Sequence, residues 1–128
     1  MKTMNQSIWV AVSDLFFYTK IRDALRQEYT LERMRGLQEI GQRASGTPPS
    51  AMILNLNEDT FDAFQAVAEI KAQDSLKSVP ILAFANHEEV DAWKRAKDLG
   101  VDKIVSRNEF SSRTRALVDE VIGTGNRS

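Results

Sequence analysis

Val79-Pro80-Ile81-Leu82-Ala83-Phe84-Ala85 is the stretch that decides the fold. Pro80 pushes Val79 out of the helical region into extended backbone, and the five residues after it are apolar without interruption. Such a run reads as a strand buried on both faces, not as the alternating kind that keeps one face in water.

Working outward, Ala51-Met52-Ile53-Leu54 and Ile8-Trp9-Val10-Ala11-Val12 show the same signature, and Lys103-Ile104-Val105-Ser106 gives a shorter one. A weaker strand falls at Thr30–Met34, where Leu31 and Met34 are only roughly in phase. The segments between turn to helical spacing. From Tyr18 the apolar positions are Ile21, Leu25 and Tyr29, and a second set is Leu37, Ile40 and Ala44, stopped by Gly46-Thr47-Pro48-Pro49. Phe61, Phe64, Ala68 and Lys71, with Val67 and Ile70, mark a third helix that Asp59 and Thr60 are expected to cap. Asn86 and Glu89 have capping-box spacing for a fourth, which turns Val90, Trp93 and Ala96 inward and ends at Gly100. After Phe110, Leu117, Val118, Val121 and Ile122 make one last helix, with Asn126-Arg127-Ser128 as a frayed tail.

Five alternations of strand and helix argue for a parallel sheet with helices on both faces, because parallel strands need crossovers that are usually helical. At 128 residues the chain fits one domain, with a core over about residues 7–122. The expected class is α/β, a flavodoxin-like (βα)5 three-layer sandwich with strand order 2-1-3-4-5. Ligands in such sheets bind beyond the carboxyl ends of the strands where the order reverses. That places the candidate site at Ser13, Asp14, Asn55 and the loops after Ala85 and Ser106.

Composition removes several function classes. Apolar residues make up 42% and charged residues 27%, the balance of a folded soluble domain. Lys and Arg number 17 against 18 Asp and Glu, so no bulk charge draws the chain to nucleic acid or to an anionic membrane. There is no Cys, which rules out disulfides, thiolate metal sites and a thiol nucleophile. The apolar run behind MKTMNQS is too short for a leader or a membrane span, so the expectation is an unexported, cytoplasmic protein. His87 is the only histidine, which leaves no His-His metal motif and no internal histidine relay. Glycines 36, 41 and 46 form no phosphate-cradling pattern. The pairs Glu58-Asp59, Glu88-Glu89 and Asp119-Glu120 suit helix starts and surfaces, so no cofactor and no metal site is called for.

In these features the sequence resembles a response-regulator receiver domain, the family of the chemotaxis response regulator. The resemblance spans about Ile8 to Ile122. Its most specific parts are Val79-Pro80-Ile81-Leu82-Ala83 and Gly100-Val101-Asp102-Lys103-Ile104-Val105. The family's chemistry implies two acids after the first strand, a phosphoacceptor Asp ending the third, Thr or Ser ending the fourth, and Lys-Pro after the fifth. Here those positions carry Ser13-Asp14, Asn55, Ala85 and Arg107-Asn108. The aspartyl phosphorylation that the resemblance implies needs a carboxylate nucleophile and a cation held by hard oxygens. An Asn amide is not a usable nucleophile, and one carboxylate makes a poor Mg²⁺ site. Arg107 is placed either to pair with Asp14 or to stand solvated at the surface.

The resemblance therefore implies a degenerate pseudo-receiver: a non-enzymatic, phosphorylation-independent module acting by protein–protein interaction in a two-component-type pathway, as a monomer or weak homodimer. A chain without an output domain after Ile122 points to a partner acting in trans. Phe16, Phe17 and Tyr18 put three aromatics where receivers more often carry small or polar residues. At least one should pack inward, and an exposed one would serve as a partner anchor. Lys94, Arg95 and Lys97, with Arg113 and Arg115, are interspersed with acids and suit a charged docking face. Two alternatives stand beside this reading: phosphotransfer through a non-standard carboxylate, Asp14 or Asp59, and a small-ligand sensor in the crevice at the strand ends.

Overall fold

The computed structural model describes residues 6–86 and 88–125. Five strands form one parallel sheet in the order β2-β1-β3-β4-β5: β1 (Gln6–Ala11), β2 (Tyr29–Arg33), β3 (Ala51–Asn55), β4 (Ile81–Ala85) and β5 (Lys103–Ser106). This is the expected order, with β1 and β3 straddling the point where it reverses. Val10 lies opposite Ile53, Leu54 opposite Ala83, and Phe84 opposite Val105.

Successive side chains of a strand point to opposite faces, and in β3, β4 and the Ile8–Ala11 part of β1 both faces are dry, which is why these sequences run apolar without alternation. Trp9, Ala11, Met52, Leu54, Ile81 and Ala83 pack on one side. Against them lie α2 (Leu37–Arg43), α3 (Ala63–Ala72) and α4 (Val90–Leu99), through residues such as Ile40, Val67, Ile70 and Ala96. Ile8, Val10, Ile53, Leu82 and Phe84 face the other way, onto α1 (Leu15–Leu25) and α6 (Thr114–Gly125), with Ile21, Leu25, Leu117, Val118 and Val121.

Several helix boundaries differ from expectation, each for a local reason. α1 begins at Leu15, not Tyr18, because Asp14 caps it by accepting the Phe17 N–H at 3.1 Å. α3 is capped by Asp62, which accepts from Phe64 and Gln65, and not by Asp59 or Thr60. Its inward face is Ala63, Ala66, Val67 and Ile70, so Ala68 is exposed. The Asn86–Glu89 capping box does not form, since no side chain caps α4. Val90 turns outward and is 71% exposed, while Ala96 is buried. A short helix, α5 (Arg107–Ser112), follows β5 directly because the Ser106 hydroxyl accepts the Glu109 N–H, so two helices stand where one was expected. Among the described residues no helix is long and apolar enough to cross a membrane. His87 and the Asn126-Arg127-Ser128 tail lie outside the described residues.

The Gly100-Val101-Asp102 motif has a structural account. Gly100 sits in the left-handed region at φ 107° and its N–H closes α4 on Ala96 and Lys97. The Val101 N–H reaches the Ala96 carbonyl in the same helix-ending pattern. Asp102 then clasps the start of β4 twice: its carboxylate accepts the Ile81 N–H at 2.7 Å and its own N–H donates to the Ile81 carbonyl at 3.0 Å.

Candidate functional site

Parallel pairing sets the carboxyl ends of β1, β3, β4 and β5 at one end of the sheet, and Ser13, Asp14, Asn55, Ala85 and Arg107 stand there. Asn55 closes β3 and is only 6% exposed. Its Oδ1 accepts the Asn57 N–H at 3.0 Å, a side-chain turn that bends the chain out of the strand. Ala85 ends β4 opposite Ser106 and is fully buried, contributing a methyl and no hydroxyl. Asp14 divides its carboxylate between the α1 cap at Oδ1 and a loose approach of 4.0 Å from Arg107 at Oδ2. Both groups of that pair are substantially open to solvent, so the attraction is screened.

Arg107 has closer company than Asp14. Its guanidinium lies 4.5 Å from the Phe17 ring centroid and 5.5 Å from that of Phe84. Phe84 and Phe110 stack at 4.6 Å, and Phe17 leans on both at 5.1 and 5.9 Å. Cation–π contacts of a partly exposed guanidinium are worth about 0.5–1 kcal/mol, and Arg107 has two of them against one loose ion pair at 4.0 Å. The three aromatics after Asp14 thus divide: Phe17 packs inward, Tyr18 is half-buried under Arg33 at 5.6 Å, and Phe16 is 86% exposed.

Three residues outside the expected set organise the mouth. Glu58, in the loop after β3, turns its carboxylate back to β1: Oε1 accepts the Ser13 N–H at 3.0 Å, Oε2 accepts the Ser13 hydroxyl, and Thr60 adds a hydroxyl donor at 3.3 Å. Arg33, from the end of β2, donates to the carbonyls of Ser13 at 2.6 Å and Val12 at 3.3 Å. Asn57 accepts the Asn86 N–H at 2.9 Å and donates to Glu89 at 2.9 Å, tying the β3–α3 loop to the β4–α4 loop. Asp59 stays exposed in its loop. The position of Glu58 just past Asn55 hints at a carboxylate supplied from the loop, but nothing local in the sequence names Ser13 as its partner. Among the described residues no three acidic or histidine side chains gather as a cation site.

The basic residues of the expected docking face separate. Lys94 and Lys97 border a groove of about 490 Å³ between α4 and β5, floored by Trp93, Val101 and Ile104. Arg95 lies on another face of α4, its guanidinium 4.4 Å over the Phe64 ring. Arg113 pairs with Glu109 at 2.8 Å, and Arg115 with Glu28 and, at 3.8 Å, Asp119.

No family model matches the sequence. No curated protein matches it either. Solved structures do match it. The chain is similar to the receiver domain of the sensor histidine kinase PA1611 from Pseudomonas aeruginosa, with a TM-score of 0.80 and 18% identity over 94% of this chain and 99% of that one. That domain was crystallised with a magnesium ion coordinated in its active-site cleft. A putative response regulator from Chloroflexus aurantiacus matches with a TM-score of 0.83 at 15% identity, over 94% of this chain and 99% of its own. The signal receiver domain of a histidine kinase from Syntrophus aciditrophicus matches at 0.82 and 16%, over 96% and 94%. The chain has the receiver fold. At these identities the likeness speaks for the fold.

Proposed function

We propose that this chain is a receiver-like signalling module that works without phosphorylation, binding a protein partner in a two-component-type pathway of the cytoplasm. Asn55 carries the reading. It stands at the end of β3 with an amide in place of a carboxylate, buried and committed to the turn at Asn57. The surrounding groups agree with it. Asp14 is occupied by the α1 cap, Glu58 is turned onto Ser13, and Ala85 offers no hydroxyl. These donors do not fit a Mg²⁺ ion, which demands several oxygens in near-octahedral order.

The surface proposed for the partner is the groove between α4 and β5. α4 sorts its side chains: Val90, Trp93, Lys94 and Lys97 share the groove stripe, while Asp91 and Asp98 lie off it. Asp102 borders the groove, but its carboxylate is turned onto the Ile81 N–H. An apolar floor with lysines at its edge suits a partner surface that combines apolar and acidic residues. The chain itself is read as a monomer or weak homodimer.

Intact-mass spectrometry after incubation with acetyl phosphate and Mg²⁺ tests the central claim. The native chain is expected to gain no phosphoryl group, and Asn55→Asp run beside it shows how much of the receiver chemistry survives. A labelled native chain would sink the reading, and the labelled residue, Asp14 or Asp59 above all, would name the acceptor.

A further inference from the structure

Glu58 stands in an exposed loop, where a carboxylate is ordinarily left to water. Instead it makes a two-pronged contact, its two oxygens taking the backbone N–H and the hydroxyl of Ser13, 45 positions earlier in the chain. Bonds to an ionised carboxylate are roughly twice as strong as neutral ones. Ser13 is itself held from behind by Arg33 on its carbonyl. Glu58 is therefore docked on a fixed post.

The next residue back continues the connection. Asn57 holds the Asn86 N–H with its Oδ1 and Glu89 with its amide nitrogen. Asn86 in turn takes the Trp93 indole N–H on its carbonyl at 3.0 Å, and the Glu89 carbonyl takes the Trp93 backbone N–H at 3.2 Å. Trp93 forms part of the groove floor. Hydrogen bonds on either side of the covalent step from Glu58 to Asn57 thus connect the end of β1 with the first turn of α4.

We propose that Glu58 is a carboxylate latch: docked on Ser13 it fixes the β3–α3 loop, and through Asn57 it sets the β4–α4 loop and the Trp93 edge of the groove. Apolar contact anchors the loop only at Leu56 and the partly buried Phe61, so its hold depends on these polar bonds. Linkage is reciprocal. A partner that displaces Trp93 loosens the latch, and release of the latch reshapes the groove. The regulatory consequence rests on the proposed docking surface, but the latch itself is measurable without any partner.

The test is amide hydrogen exchange on the full chain, native and as Glu58→Ala, Asn57→Ala and Asp59→Ala. Glu58→Ala is expected to speed exchange at both Ser13 and Asn86 by about tenfold or more, the size of losing charge-assisted bonds. Asn57→Ala should speed Asn86 directly and, because linkage is reciprocal, Ser13 to a smaller extent. Asp59→Ala, a neighbouring carboxylate in the exposed loop, should change neither. If Glu58→Ala frees Ser13 while Asn86 keeps its native rate, the latch is local and the proposal is wrong. Equal effects from Asp59→Ala and Glu58→Ala would also overturn it. Should Glu58→Ala fail to fold, Glu58→Gln replaces one accepting oxygen with an amide nitrogen that cannot accept, and an Asn86 rate unchanged while Ser13 exchange speeds is equally decisive. A positive result in the acetyl phosphate experiment would leave these rates untouched, so the two readings fail separately.

Discussion

Gly100 is held by its backbone, and the flexible end of Lys71 passes close above it. Its φ of 107° is the left-handed conformation that ends α4, and a Cβ added there would lie 2.9 Å from the Cε of Lys71. Lys71 passes over this spot to donate to the Lys77 carbonyl at 3.2 Å. Gly100→Ala is expected to cost about 1–2 kcal/mol for the left-handed backbone alone, with the Lys71 contact added, and urea unfolding measures it. Asn55 shows the complementary case. Its amide looks like a lost carboxylate when only chemistry is considered, yet it holds a turn that a residue without a side-chain acceptor could not hold.

At the level of elements, caps and clasps decide where helices begin and how they seat. Asp62→Ala should cost about 1 kcal/mol, because it leaves two N–H groups of α3 uncapped. Asp59→Ala should stay within about 0.5 kcal/mol, as surface changes usually do. Thermal unfolding of the two variants side by side checks both. α6 is clasped to β2 in another way, by the Tyr29 hydroxyl donating to Asp119. Burial first, and then the Asp119 hydrogen bond and charge, push the Tyr29 hydroxyl well above the ordinary tyrosine range. A proton held more tightly in the folded state stabilises it fully below the unfolded tyrosine value of about 10, and that contribution is lost as pH climbs beyond it. Denaturant titrations from pH 8 to 11 should show stability falling above about pH 10; Tyr29→Phe should flatten that fall.

The strands were legible in the sequence because burial on both faces writes a run of apolar residues into consecutive positions. Ile81–Ala85 reads directly off the chain for that reason. Helix starts were less legible, since Asp59, Thr60 and Asp62 are all plausible caps and only backbone geometry selects Asp62. Val90 was expected inward because helical spacing alone does not say which stripe the sheet covers. Of the site, the positions at strand ends could be placed from topology. The reach of Glu58 to Ser13 could not, because a contact between residues so far apart leaves no periodic trace.

Across the whole molecule, the central sheet is shared by two dry layers, one on each face, so neither layer can lose its packing without stripping the strands of the other. Unfolding is therefore expected to be a single event, with far- and near-ultraviolet circular dichroism giving coincident transitions in urea. Separate midpoints would mean that one layer melts alone.

The strand order also bears on how the chain is made. β1 has β2 on one side and β3 on the other, and Ile8 must wait for Ala51 before its second neighbour exists. At synthesis rates of about 5–20 residues per second, that is a delay of seconds during which a ribosome-bound chain carries Ile8–Val12 with one edge unclaimed. A nascent segment of this kind is a natural substrate for chaperones that hold apolar stretches, and the middle of the sheet, rather than its rim, is where such help would be needed.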